Sequence, residues 1–177
     1  MDIDLVRRNR IPYDWGLEVG MLAEVFRNSA PRAICQAELC ENYDHKHQEI
    51  SARDPQRGLN RMAIDIMRSI FRRMASEGIK LDQGLFETLQ FAYTRQAEDT
   101  LRAYGADATM NGLAFPRHEE ETAVATFASS IREAAKQHGV DPMFWPGIPN
   151  WNRVESALPD FLETLNRAVA EDNRTVD

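Results

Sequence analysis

The sequence predicts a mainly α fold: a short helix and one or two edge strands, followed by a bundle of about four helices. Three observations carry this reading. Long segments after residue 54 repeat apolar residues at helical spacing. Only residues 32 to 42 alternate in the manner of a strand. Nowhere do strands and helices alternate as a parallel sheet requires. At 177 residues, 43% hydrophobic and 28% charged, the chain suffices for one domain, or one domain with a helical appendage, around its own core.

The first dozen residues read as an incoming loop. "DWGLEVGMLAEVFRNSAP" then predicts a helix with Asp14 as its N-cap and Pro31 as its stop. Its apolar stripe is Leu17, Met21, Leu22, Val25 and Phe26. Gly16 and Gly20 each cost a helix about 1 kcal/mol relative to alanine, so close approach of another backbone, or a ligand, is expected there. Residues 32 to 42 place Ala33, Cys35, Ala37 and Leu39 on one face and Ile34, Gln36, Glu38 and Cys40 on the other. That pattern suits a strand with one dry face and one face open to a cleft. A single strand cannot satisfy its own backbone, so its ladder partner is expected in another chain or in a missing part of the same chain.

"DPQRGLNRMAIDIMRSIFRRMASEG" predicts a long, well-buried helix, with Asp54 as cap, Pro55 at the first helical position and Gly78 as terminator. Leu59, Met62, Ala63, Ile66, Met67, Ile70, Phe71 and Met74 hold its period. A second long helix is expected from about Asp82 to Tyr104, stopped by Gly105, with "ADATMNGLAFP" as a loop. "EEETAVATFASSIREAAKQHG" starts a third helix with three acids at its positive dipole end and carries Lys136 near the other. "DPMFWPGIPNWN" reads as irregular, and "ALPDFLETLNRAVAED" as a closing helix. There is no internal repeat and no low-complexity tract.

A net charge of −7 and a pI near 5.2 argue against a binder of nucleic-acid backbones, which would carry a basic face. The local clusters "VRRNR" and "FRR" leave a small anionic ligand open. No apolar run approaches the roughly 18–20 residues of a membrane span, and "MDIDLVRRNR" lacks a secretory signal, so the chain reads as cytoplasmic with no membrane partner. Cys35 and Cys40 would lie about 16 Å apart in a strand, too far for a disulfide, and read as reduced. Neither has a neighbouring base in sequence, which sets nucleophilic catalysis aside.

"YDHKHQEIS" draws the eye to Asp44, His45 and His47. Two imidazoles at i and i+2 share a side in an extended segment and can face one metal. Spacing alone favours a polar turn at a strand end, because metal sites usually show three or four protein ligands. His118 and His138 read as surface residues flanking a helix. Glu18 sits in the first turn of the early helix behind Tyr13, Asp14 and Trp15, on the side taken to be away from Met21 and Val25. An acid there suits a hydroxyl binder or general base, and equally suits a dipole-favoured surface position. Arg7, Arg8 and Arg10 form a solvated face or meet a phosphate or carboxylate. Phe144, Trp145 and Trp151 read as a lid closing one end of the bundle, with a sugar platform as the lesser alternative.

Taken together, "YDWGLEVGMLAEVF", "AICQAELCENYDHKHQEIS" and the long helical tail resemble the C-terminal part of GT-A-type glycosyltransferases of the glucosyl-3-phosphoglycerate synthase and mannosyl-3-phosphoglycerate synthase kind. The resemblance is specific over about the first fifty residues. It implies that residues 1–54 form the C-terminal edge of the catalytic domain and 55–177 a helical C-terminal domain. His45 would then be the family's ligand to a divalent ion, magnesium or manganese, and Glu18 its glutamate on the acceptor side, the catalytic position. Arg10, Asp14, Trp15 and His47 are secondary or acceptor candidates. His47 has no fixed family counterpart, and Cys40 stands where the family usually has glycine. The implied partners are a nucleotide-sugar donor, a 3-phosphoglycerate-like acceptor and a second copy in a homodimer.

The family's nucleotide-binding half, with its parallel sheet and D-x-D pair, has no counterpart here. The "DID" at Asp2 to Asp4 has no strand before it. The chain is therefore expected to show little turnover and feeble metal binding by itself. The competing expectation is a helical oligomerisation module without catalysis.

Overall fold

The computed structural model describes residues 3–38, 48–142 and 144–175. Its elements are α1 (Ile3–Arg8), β1 (Ile11–Pro12), α2 (Leu17–Asn28), a 3-10 turn at Pro31–Ala33, α3 (Gly58–Ser76), α4 (Gln83–Met110), α5 (Arg117–Val140), β2 (Gly147–Ile148), α6 (Trp151–Ala157) and α7 (Phe161–Thr175). The mainly α class with a minor sheet is as predicted, but the sheet lies elsewhere. β1 and β2 pair antiparallel, Ile11 opposite Ile148 and Pro12 opposite Gly147. Tyr13 N–H extends the ladder to the Pro146 carbonyl at 2.8 Å. So the first dozen residues are a helix and a strand, and the segment read as irregular before α6 holds the other strand.

The core forms where α5 packs against both α3 and α4. Ile64, Phe71, Ile131 and Ala134 are its buried centre, with Met67, Met74, Leu81, Phe86, Leu89 and Tyr93 around it. Phe71 is fully buried and meets Phe86 edge-on at 4.9 Å between ring centroids. Expected burial of α3 is borne out, and it extends to polar positions. Asn60, on α3, lies 2.8 Å from Ser130 Oγ on α5, so two buried polar groups satisfy each other across the interface.

α3 ends as predicted at Gly78 (φ +80°). Gly78 N–H reaches the Ala75 carbonyl and Ile79 N–H the Met74 carbonyl, the paired bonds of a Schellman cap. Its start differs: the helix opens at Gly58, and Asp54 and Pro55 make the turn before it, with Asp54 Oδ1 accepting from Gln56 N–H at 2.9 Å. Asp82 caps α4 as expected, accepting from Leu85 N–H at 3.1 Å. Gly105 does not end α4. It lies within the helix, where a Cβ would sit 3.4 Å from the Phe115 ring. The stop is Gly112 (φ +67°), which makes the same pair of capping bonds through Gly112 and Leu113.

His138 corrects another expectation, being buried in the core and not on the surface. Its ring lies 6.0 Å from Phe71 and 6.2 Å from Phe86. Burial first, then the Arg72 and Arg68 charges, push the imidazole below its ordinary value of 6.5. Below pH 6.5 the unfolded chain binds the proton more readily than the folded one. This contribution is therefore intact above about pH 6.5 and is lost as pH falls from there through the depressed folded value. Urea midpoints between pH 8 and 5 are expected to fall less steeply for His138→Leu than for the parent. Parallel pH profiles would show that this imidazole does not titrate differently in the folded state.

The predicted strand over residues 32 to 42 is not present in its described part. Residues 31–33 make a single 3-10 turn, and residues 34–38 have no ladder partner among the described residues. Ile34 is nonetheless extended (φ −105°, ψ 126°), and residues 32–38 are all exposed. An alternating pattern sets the backbone preference of a segment, but only a neighbour's hydrogen bonds make it a sheet. No described helix is long and apolar enough to cross a membrane.

Candidate functional site

The β1–β2 ladder delivers the chain into α2 through a tight turn. Asp14 Oδ1 accepts from Gly16 N–H at 2.9 Å, an Asx turn, so Asp14 shapes the approach and does not cap the helix. Its carboxylate turns inward, with its side chain only 7% exposed, and lies 3.8 Å from Arg72 Nη2. Burial raises the Asp14 pKa against the opposing pull of the Gly16 hydrogen bond. Burial likewise lowers that of Arg72.

The two α2 glycines do what their cost predicted. A Cβ on Gly16 would lie 2.8 Å from Ser69 Cβ of α3, and one on Gly20 would lie 2.7 Å from Pro12 Cγ. Their small face is therefore the one that packs inward. Of the residues predicted as the packing stripe, Leu17, Leu22 and Phe26 turn outward, Leu22 being 70% and Phe26 67% exposed, while Met21 and Val25 are half-buried. Glu18 is exposed too. Helical spacing puts it beside Met21, Leu22 and Val25, at i+3, i+4 and i+7, and not away from them as expected. Tyr13 and Trp15 are also exposed at this end of α2.

Asp44, His45 and His47 lie outside the described residues. Where the chain resumes, it is tied onto the start of α3. Leu59 N–H donates to the Glu49 carbonyl at 2.8 Å, Asn60 N–H to Ile50 at 3.2 Å, and Asn60 Nδ2 to Ser51 at 3.3 Å. Gly58 makes this possible: with φ +54° and no side chain, it admits the Glu49 carbonyl where a Cβ would come within 2.1 Å. The segment leaving the histidines is thus fixed to the most buried helix. Among the described residues, no group of three or more His, Cys, Asp or Glu could hold a metal ion. The described residues alone therefore do not form a shell for the implied cation.

Of the arginines, Arg7 is exposed and Arg8 Nε donates to the Asp4 carbonyl. Arg10 stands apart from Glu18. It pairs with buried Glu24 at 2.9 Å, which Arg27 also grips through both oxygens at 2.7 and 2.6 Å. Arg10 also lies 5.6 Å from the Trp145 ring centre. Of the three aromatics expected to form one lid, Trp145 and Phe144 lie against guanidiniums, Arg72 at 5.7 Å from Trp145 and Arg68 at 4.2 Å from Phe144, whereas Trp151 packs against Phe161 at 5.5 Å. Sequence reasoning marked "FRR" as a possible anion contact without seeing that Arg72 and Arg73 meet Arg10 at one cleft.

No protein-family model matches the chain, and no solved structure matches it. Its curated relatives are synthases of the glycosyltransferase class to which the helix and strand motifs pointed. Both are named glucosyl-3-phosphoglycerate synthase. The one from Persephonella marina is 39% identical over 169 residues, covering 96% of this chain and 42% of the relative. The one from Methanococcoides burtonii is 42% identical over 174 residues, covering 97% and 42%. The chain is homologous along nearly its whole length to these synthases, and it spans about two-fifths of the length of the relatives it matches.

Proposed function

We propose that this chain is the acceptor-side part of a hexosyltransferase resembling glucosyl-3-phosphoglycerate synthase, moving a hexose from a nucleotide-sugar donor to 3-phosphoglycerate or a similar small acid. The observation that carries the reading is the outward face of α2. There Glu18 shares a side with exposed Leu22, next to an aromatic pair and ahead of a segment without a ladder partner. An isolated domain gains stability by burying such apolar groups, at about 25 cal/mol per Å². Their exposure fits a face that a nucleotide-sugar-binding part covers. The relatives' greater length supports the same reading.

In this reading Glu18 contacts the acceptor across that covered face, where exclusion of water strengthens its hydrogen bonds. His45 contributes one imidazole to a divalent ion whose other ligands are carboxylates of the nucleotide-binding part, an arrangement suited to magnesium or manganese. Tyr13 and Trp15 border the acceptor side. Asp14 serves from behind, by holding the turn and reaching Arg72 of α3, and Arg10 by pairing with Glu24 of α2.

The test is a chimera joining this chain to the part of the Persephonella marina enzyme that it does not match. Transfer from nucleoside-diphosphate glucose to 3-phosphoglycerate is expected in the chimera and not in the chain alone. Glu18→Gln and His45→Ala in the chimera are each expected to lower kcat/KM by about 10²-fold or more. Turnover of about 1 s⁻¹ by the chain alone would sink the two-part reading. Unchanged rates in both variants would remove the assigned residues.

A further inference from the structure

We propose that the cleft between α2 and α3 under Trp145 is a binding site for a phosphate-class oxyanion, distinct from the acceptor face. The cleft, of about 110 Å³, is floored by Gly20 and Ala23 and walled by Arg10, Arg72, Arg73 and Trp145. Gly20 lines it, and a Cβ there would lie 2.7 Å from Pro12 Cγ, so a larger residue has no room at this point of α2. Helical geometry places this side roughly opposite Glu18, so a ligand here does not touch whatever Glu18 holds.

Charge favours an anion. Five guanidiniums, those of Arg10, Arg27, Arg68, Arg72 and Arg73, gather around the cleft and its rim, against the carboxylates of Glu24, Asp14 and Glu77. Asp65, although Arg61 pairs with it, also acts on Arg72 and Asp14, and counting it still leaves one more arginine than carboxylates. This local excess sits in a chain whose net charge is −7. Glu24 is occupied by two arginines, and Asp14 stands 3.8 Å from Arg72, beyond hydrogen-bond reach.

Hydrogen bonding points the same way. Arg72 Nε and Nη2 and Arg73 Nη1 are buried without a hydrogen-bond partner among the described residues. Leaving a buried charged donor unsatisfied costs about 1–3 kcal/mol or more, so three on adjacent residues are unusual without an acceptor to meet them. Nε and Nη2 lie on one edge of a guanidinium, the fork that grips two oxygens of a phosphate. The Arg72 guanidinium carbon lies 5.7 Å from the Trp145 ring centre, within cation–π range. Oxygens of one tetrahedral anion would answer donors from both arginines, which a neutral ligand could not do with equal strength.

Isothermal titration with inorganic phosphate, and separately with glycerol phosphate, tests this at matched ionic strength. One saturable site per chain is expected, together with a rise in melting temperature that grows with ligand concentration. Tighter binding of glycerol phosphate would assign the site to a phosphomonoester, and tighter binding of inorganic phosphate to the free ion; either supports the proposal. Arg72→Gln and Arg73→Gln are each expected to weaken binding about tenfold or more. Arg7→Gln, on the exposed surface, should leave it unchanged. If Arg72→Gln does not fold, the more exposed Arg73 decides. Absence of saturation by about 10 mM, or parental affinity in the folded arginine variants, overturns the site.

Discussion

Phe71→Ala is expected to destabilise the chain by about 3–5 kcal/mol, the largest effect of any single truncation proposed for this fold. The ring is wholly buried in the layer between α3 and α5, and it meets Phe86 edge-on in a cluster that His138 completes. Removing it costs the transfer energy of an aromatic side chain and leaves a cavity that three helices cannot close without moving. At roughly 2–4 °C per kcal/mol for a chain of this size, the melting temperature should fall by about 6–20 °C. Phe91→Ala is the control, since that ring is 71% exposed and its loss should change stability by no more than about 0.5 kcal/mol. Urea unfolding that gives the two variants equal midpoints would place the core elsewhere.

Gly58→Ala is the second, expected to cost about 2–4 kcal/mol. An alanine in the left-handed region is strained by about 1–2 kcal/mol before any contact is counted. Here the new methyl would also meet the Glu49 carbonyl at 2.1 Å, a backbone atom that cannot swing aside as a side chain tip would. Relief requires residues 49–51 to lift from α3, losing the bonds from Leu59 and Asn60 that tie them down. Hydrogen exchange should therefore quicken first at the amides of Leu59 and Asn60, with the interior of α3 still protected. Exchange unchanged at those two amides, with a loss below about 1 kcal/mol, would contradict this role for Gly58. In the proposed chimera the same variant is expected to lower transfer, because residues 49–51 lose their tie to α3.

Much of the helical frame could be read from residue spacing. Asp82 and Gly78 mark boundaries because capping chemistry is local, set by a side-chain oxygen at the start and a left-handed glycine at the end. Gly105 misleads because a glycine ends a helix only when the chain turns there, and Phe115 gives this one a packing role instead. α2 misleads more deeply. Its apolar stripe is genuine, yet the helix docks by its glycine face, since close approach to Ser69 demands small residues and bulky ones can wait for another partner. Two-residue strands such as β1 and β2 are too short to show any period. The surroundings of Glu18 were not legible, because the side it shares depends on which face of α2 docks. The Arg72–Arg73–Arg10 cleft joins positions more than sixty residues apart in a contact that no local pattern encodes.

The pairing of Ile11–Pro12 with Gly147–Ile148 bears on how the protein is made. Asn150 Nδ2 adds a bond to the Arg8 carbonyl across 142 positions, and α1 rests on α6. During synthesis, at about 5–20 residues per second, the first strand must wait several seconds for its mate to leave the ribosome. Meanwhile α3, α4 and α5 can dock on one another in the nascent chain. The segment of α1 and β1 is thus among the last parts of this fold to settle, and a translation pause before residue 147 would prolong the time during which its apolar groups are open to chaperones.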